Sequence, residues 1–166
     1  MNMKTCAHRE YPFGTKLKVT NASNNRAVEC TVNDRGPFAA GRDIDLSYAA
    51  AKEIGLTGRG TSRVVIEVKG RDESYIKKVK VQTAGSAGPF AIQIGSFTDA
   101  SNAERLKAAL TLKYSNVYVD NVKIKGAQRY RVRVGNFDTL SKTIALAGKL
   151  GFEGYPTVVV SADTKM

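Results

Sequence analysis

The chain has 166 residues, 42% of them hydrophobic and 25% charged, with no Trp; this is globular composition and excludes collagen-like, coiled-coil and wholly disordered chains. No apolar run approaches the roughly 18 residues of a membrane-spanning helix, and residues 1–6 carry no apolar core of the kind a secretory leader has. Lys and Arg number 26 against 15 Asp and Glu, a net charge of +11, spread along the chain; this favours a polyanionic partner (nucleic acid, anionic lipid or an acidic cell wall) unless it serves solubility alone.

Lys16-Leu17-Lys18-Val19-Thr20 alternates polar and apolar, which predicts a strand. Asn21 to Asn25 is a turn cluster, and residues 26–32 alternate again, completing a hairpin. Asn33-Asp34-Arg35-Gly36-Pro37-Phe38 breaks the second strand. Asp45-Leu46-Ser47 leads into an Ala-rich helix over residues 48–54, stopped by Gly55. Residues 63–68 read as a further strand. Residues 76–81 alternate only weakly, and residues 83–89 are small and flexible, so a linker is placed over 71–87, between a first domain at 1–70 and a second at 88–163.

The second domain contains an internal repeat. Ile92-Gln93-Ile94-Gly95-Ser96-Phe97 matches Val132-Arg133-Val134-Gly135-Asn136-Phe137, and each copy leads into a helical pattern, over residues 101–113 and 140–150. Asp99 or Ser101, and Asp138 or Thr139, are suitable helix N-caps. Residues 117–124 and 157–160 are β-rich. The order βαββαβ predicts a small antiparallel sheet with two helices on one face and the other face open. Alternation turns Ile92, Ile94, Val132 and Val134 toward the helices and Gln93, Arg131 and Arg133 toward the open side, a basic platform for a ligand or an ordinary solvated face. An RNA-binding sheet of this topology needs stacking aromatics where Gln and Arg stand, so nucleic acid is not the expected partner.

In the first domain, His8, Asp34, Asp43 and Asp45 stand in the motif-bearing segments and are able to do acid–base chemistry. No nucleophile elbow and no phosphate-binding glycine loop is present. With one His and two Cys in no CxxC, neither a metal site nor a cofactor is expected. By spacing alone Asp34 supports its turn and His8 is a packing residue.

Three motifs shift that reading: Ala7-His8-Arg9 followed by Pro12-Phe13-Gly14-Thr15; Val32-Asn33-Asp34-Arg35-Gly36-Pro37-Phe38; and Gly41-Arg42-Asp43-Ile44-Asp45-Leu46-Ser47. In this order and at this spacing they resemble the rare lipoprotein A family. The repeat, with Tyr130-Arg131-Val132-Arg133-Val134-Gly135, resembles the SPOR domain. The resemblance implies a mainly β plus α+β chain: a double-psi β-barrel followed by a ferredoxin-like SPOR domain. It implies a bacterial envelope protein of the periplasm or outer membrane, enriched at the septum and monomeric. It also implies a lytic transglycosylase acting on peptidoglycan glycan strands stripped of their stem peptides. The sugar's own 6-hydroxyl closes a 1,6-anhydro ring in that reaction, so one acid suffices where hydrolases use two carboxylates.

Residue by residue, Asp34 then matches the catalytic acid and His8 its companion, with Asp45 and Arg35 supporting; Arg35 either faces the substrate or pairs with a neighbouring carboxylate. Gln93, Ser96, Tyr130, Arg131 and Arg133 match the glycan-binding positions. Export implies a Cys6–Cys30 disulfide. Family members carry more barrel ahead of the Ala-His motif, an acidic cleft residue and a lipid-anchoring Cys. The resemblance therefore implies an N-terminally truncated barrel with an open edge, in which Cys6 is not the anchor. The alternative function is a non-catalytic protein that binds peptidoglycan and targets the septum.

Overall fold

The structure, a computed structural model, describes residues 3–58, 60–83, 85 and 87–162. Residues 84 and 86 of the expected linker, and residue 163 at the expected end of the second domain, lie outside the described residues. The chain divides between Tyr75 and Ile76 into two compact units.

The first unit holds β1 (Thr5–His8), β2 (Thr15–Asn21), β3 (Ala27–Asp34), β4 (Ile44–Leu46), α1 (Tyr48–Glu53) and β5 (Val64–Arg71). Its strands form one sheet in the order β4-β1-β3-β2-β5. The β2–β3 hairpin is antiparallel, as its alternation predicts, and closes with Asn21 and Arg26 exchanging a backbone hydrogen bond of 2.8 Å. Leu17, Val19, Val28 and Val32 turn inward and meet Ala50 and Ile54 of α1. Cys6 of β1 and Cys30 of β3 sit in the same core and are joined by a disulfide with 5.9 Å between their Cα atoms. One hydroxyl ties β1 to α1: Ser47 Oγ caps the helix by accepting the Ala50 amide and also accepts the Thr5 amide at 3.0 Å.

Residues 72–75, expected at the start of the linker, belong to this unit. Asp72 donates its amide to the Gly14 carbonyl at 2.9 Å, and a 3₁₀ turn follows at Glu73–Tyr75. Gly14 permits the approach: its φ is +89°, and a Cβ there would stand 2.6 Å from the Asp72 carbonyl oxygen.

The second unit holds β6 (Val79–Gln82), β7 (Phe90–Phe97), α2 (Ala100–Thr111), β8 (Val117–Ile124), β9 (Ala127–Phe137), α3 (Leu140–Glu153) and β10 (Thr157–Ser161). The expected βαββαβ order runs from β7 to β10, with α2 capped by Asp99 and α3 by Thr139. Strand order is β6-β10-β7-β9-β8. The four repeat strands pair antiparallel, as expected. β6 is an addition: it falls inside the expected linker, yet pairs in parallel with β10 at the sheet edge. Three of its four side chains are exposed, so it lacks the buried face that produces alternation. Backbone pairing and the Lys77 amide, which donates to the Gly151 carbonyl at 2.8 Å, hold it in place.

Candidate functional site

Asp34 is positioned by an irregularity in β3. Cys6 pairs with Val32 and Ala7 with Asp34, so β3 carries one extra residue, Asn33, against β1. Strict alternation would set Asp34 on the Val32 face, in the core. The bulge turns it to the Ala7 face instead, which is what bulges beside functional groups commonly achieve. β4 pairs Asp45 with the same Ala7. Two carboxylates therefore flank one methyl group in a row across β3, β1 and β4, with Cα atoms roughly two strand spacings, or about 10 Å, apart. Asp34 Oδ1 accepts the Arg35 amide at 2.8 Å. Asp45 is ion-paired with Arg42, and its Oδ2 lies 3.7 Å from the point where a Cβ on Gly36 would stand. It thus reaches back over the turn that follows Asp34. A cleft of about 290 Å³ opens beside it, between β4 and the start of β5, and keeps Asp45 accessible.

His8 ends β1. Its Nδ1 accepts the amides of Glu10 at 3.1 Å and Tyr11 at 3.2 Å, and its ring packs on Tyr11 with centroids 4.2 Å apart. A neutral ring with Nδ1 so occupied carries its proton on Nε2 and is a donor there. Burial holds its basicity below the ordinary imidazole value; Arg35 and Arg9 push the same way, while Glu10 and Asp43 oppose. Among the described residues no hydrogen bond joins His8 to Asp34. The backbone makes them neighbours, because Asp34 pairs with the residue next to His8.

Arg35 is buried, which fits a supporting residue and not a substrate-facing one. It is 5% exposed, and its Nη1 donates to the carbonyls of His8 at 3.2 Å and Tyr11 at 2.7 Å. Its guanidinium lies 4.2 Å from the centre of the Phe13 ring. The side chain clamps the His8–Phe13 turn from beneath, so that Asp34 and His8 hold a fixed relation through the backbone.

In the second unit, Gln93 and Tyr118 pair with Arg133, and Ser96 and Asp120 pair with Arg131, two adjacent rows across β7, β9 and β8. Gln93 and Ser96 are three residues apart and would fall on opposite faces of a regular strand. A register shift between Gln93 and Gly95 brings them to one. Tyr130 falls on the other face, with Val132, so it does not join this group.

The face expected to be open is closed at its centre: Arg133 is 2% exposed and Arg131 is buried. Arg133 Nε and Nη2 donate to Gln93 Oε1 at 3.3 and 3.2 Å, its Nη1 donates to the Ala162 carbonyl at 3.5 Å, and Nη1 lies 3.7 Å from Asp120 Oδ2. Burial lowers its basicity, with Arg131 adding to the effect and Asp120 and Tyr118 opposing it. The polar rows thus include two residues, Tyr118 and Asp120, that no motif marked; their cross-strand position is the signal that identifies them.

Residues 1–66 match the family model described as lytic transglycolase, and residues 86–163 match that of the SPOR domain. The chain is similar to the endolytic peptidoglycan transglycosylases RlpA of Pasteurella multocida (35% identity over 164 residues, 92% of this chain and 52% of that protein) and Vibrio cholerae (32% over 165 residues, 99% and 61%). The probable endolytic peptidoglycan transglycosylase RlpA of a Nostoc strain is 55% identical over 67 residues, 40% of this chain and 18% of that protein. The chain thus spans about half the length of the relatives it matches along nearly its whole course. Two sheets with few helices, the order of the repeat strands and the two domain matches agree. The chain resembles the RlpA proteins and consists of a double-psi β-barrel domain followed by a C-terminal SPOR domain with a ferredoxin-like fold.

Proposed function

We propose that the chain cleaves the MurNAc–GlcNAc bond of peptide-free glycan strands as a lytic transglycosylase, Asp34 being its acid, and that the SPOR domain delivers it to such strands at the septum of the bacterial envelope. The observation that carries this reading is the bulge at Asn33, which turns one carboxylate out of the core and sets it in a row with a second, Asp45, across a residue no larger than Ala7. The domain match to lytic transglycolases and the names of the relatives support the same reaction class.

The chemistry asks little more of the protein. Asp34 gives its proton to the glycosidic oxygen as the bond from C1 breaks. The 6-hydroxyl of the same MurNAc attacks C1, the new C1–O6 bond closes the 1,6-anhydro ring, and the hydroxyl proton passes to the Asp34 carboxylate. No water is consumed, and the carboxyl group ends as it began. Because nucleophile and electrophile belong to one sugar, orientation supplies much of the rate. His8 offers Nε2–H to the substrate or to the developing negative charge, and Asp45 takes a sugar hydroxyl. In the SPOR domain the accessible members of the two rows, Gln93 and Ser96, supply the glycan contacts, with the buried Arg133 orienting Gln93.

The test is digestion of amidase-treated peptidoglycan, read by mass spectrometry for 1,6-anhydro-MurNAc ends. The Asp34→Asn protein is expected to yield none above background while still retaining glycan. A second reading draws on the Arg35 amide bonded to Asp34: the carboxylate merely supports the turn, and the chain binds wall without cutting it. Wild-type retention without anhydro ends, unchanged by Asp34→Asn, would establish that reading and remove the first.

A further inference from the structure

The ring of Phe38 is 55% exposed. An isolated surface aromatic needs no explanation, but this one stands at a special place. It is four residues beyond Asp34, past a turn in which Gly36 has φ +140°. The point where a Cβ on Gly36 would stand is 3.6 Å from Phe38 Cε2 and 3.7 Å from Asp45 Oδ2. Ring and carboxylate therefore both come within 4 Å of one point beside Gly36, with Asp34 at the start of the same turn. A hexosamine has one face of C–H bonds and a rim of hydroxyls. An exposed phenyl ring suits the face and a carboxylate oxygen suits the rim.

We infer that Phe38 is the platform on which one sugar of the glycan stacks, setting the bond to be cut over Asp34 while Asp45 accepts a hydroxyl of that sugar. The inference rests on the transglycosylase reading and adds to it the residue that orients the substrate. Phe38 takes no proton and forms no bond. It acts by positioning, so its removal weakens the productive complex and leaves the reacting groups in place.

The experiment uses the full chain and a defined peptide-free GlcNAc–MurNAc tetrasaccharide. Kinetics are followed through anhydro ends, and binding through the Phe38 ring resonances, which are identified by their absence from the Phe38→Leu spectrum. For Phe38→Ala and Phe38→Leu, KM is expected to rise about tenfold or more, the size of a lost aromatic contact, and to account for most of the fall in kcat/KM. Phe38→Trp is expected to restore KM, and unchanged melting temperatures exclude misfolding as the cause. The wild-type ring resonances are expected to shift on titration. A KM unaltered in Phe38→Ala overturns the inference while the transglycosylase reading stands. If the wild type produces no anhydro ends, that reading fails, and the ring resonances decide alone: a saturable shift keeps Phe38 as a sugar platform, and silent resonances remove it.

Discussion

His8 is bonded in a way that commits it to one protonation state. Two amides donate to Nδ1, so a proton placed there would face two N–H groups and lose both bonds. Burial, aided by Arg35 and Arg9, already holds the imidazole below its ordinary value of 6.5, against Glu10 and Asp43. The sign of the linkage follows. Above pH 6.5 the ring is neutral folded and unfolded, and the group adds no pH dependence. As pH falls from 6.5 toward the lower folded value, the unfolded chain binds more protons, and stability is lost. Below the folded value the loss from this group is complete. In urea melts from pH 7.5 to 5, the wild-type midpoint should fall more steeply than that of His8→Gln, whose amide oxygen can still accept. Parallel slopes would show that His8 is not the group responsible.

Nothing in the string Asn33-Asp34-Arg35 tells the accessible carboxylate from the buried guanidinium. Its charge suits Arg35 to a substrate or to a neighbouring carboxylate, but two carbonyls of the His8–Phe13 turn accept from its Nη1 and the Phe13 ring packs on the guanidinium. Those partners are more than 20 residues away in sequence, where no local pattern reaches. The roles proposed for Asp34 and His8 rest on motif resemblance, since their spacing alone fits a turn and a packing residue.

At the scale of elements, what the sequence displays best is what the core repeats. The Gly-x-Phe of each repeat has a packing cause. A Cβ on Gly95 would stand 2.8 Å from the Phe97 ring and one on Gly135 2.1 Å from the Phe137 ring, so each phenyl ring lies over the glycine two residues before it. Elements without a buried face were not displayed. β6 lies exposed at a sheet edge, and the bulges at Asn33 and between Gln93 and Gly95 are visible only once strands are paired. These bulges aim the candidate residues, so the fold class was more legible than the site.

β1 is only four residues long, and its register with β3 places Ala7 beside Asp34. The Cys6–Cys30 disulfide pins that register across a sequence separation of 24. A cross-link closing a loop of this size stabilises by about 3 kcal/mol on chain-entropy grounds. The Cys6→Ala, Cys30→Ala protein is expected to lose stability of that order in denaturant melts and to lose activity with it, because the row from Asp34 to Asp45 runs through β1. A midpoint indifferent both to reductant and to the double substitution would show that the bridge is unimportant to this register.

Over the whole molecule the charge of +11 finds its reason in the proposed substrate. When an amidase removes a stem peptide, the amide to the lactyl group of MurNAc is hydrolysed and a carboxylate is left on every second sugar. A peptide-free strand is therefore a regular polyanion. Both parts of the chain share the positive excess, with 11 basic and 7 acidic groups in residues 1–70 and 11 and 6 in residues 86–166. A field so distributed attracts a long strand at many points and does not specify a site. It should raise the association rate by roughly tenfold or more at low salt and fade as the screening length shrinks from about 10 Å at 0.1 M to about 3 Å at 1 M. Retention on peptide-free strands should fall steeply across that range. Strands whose lactyl carboxylates are converted to methyl esters should be held weakly at every salt concentration, because neutral sugar contacts alone remain. Equal retention of acid and ester strands would show that recognition is by sugar shape alone, leaving the net charge to solubility.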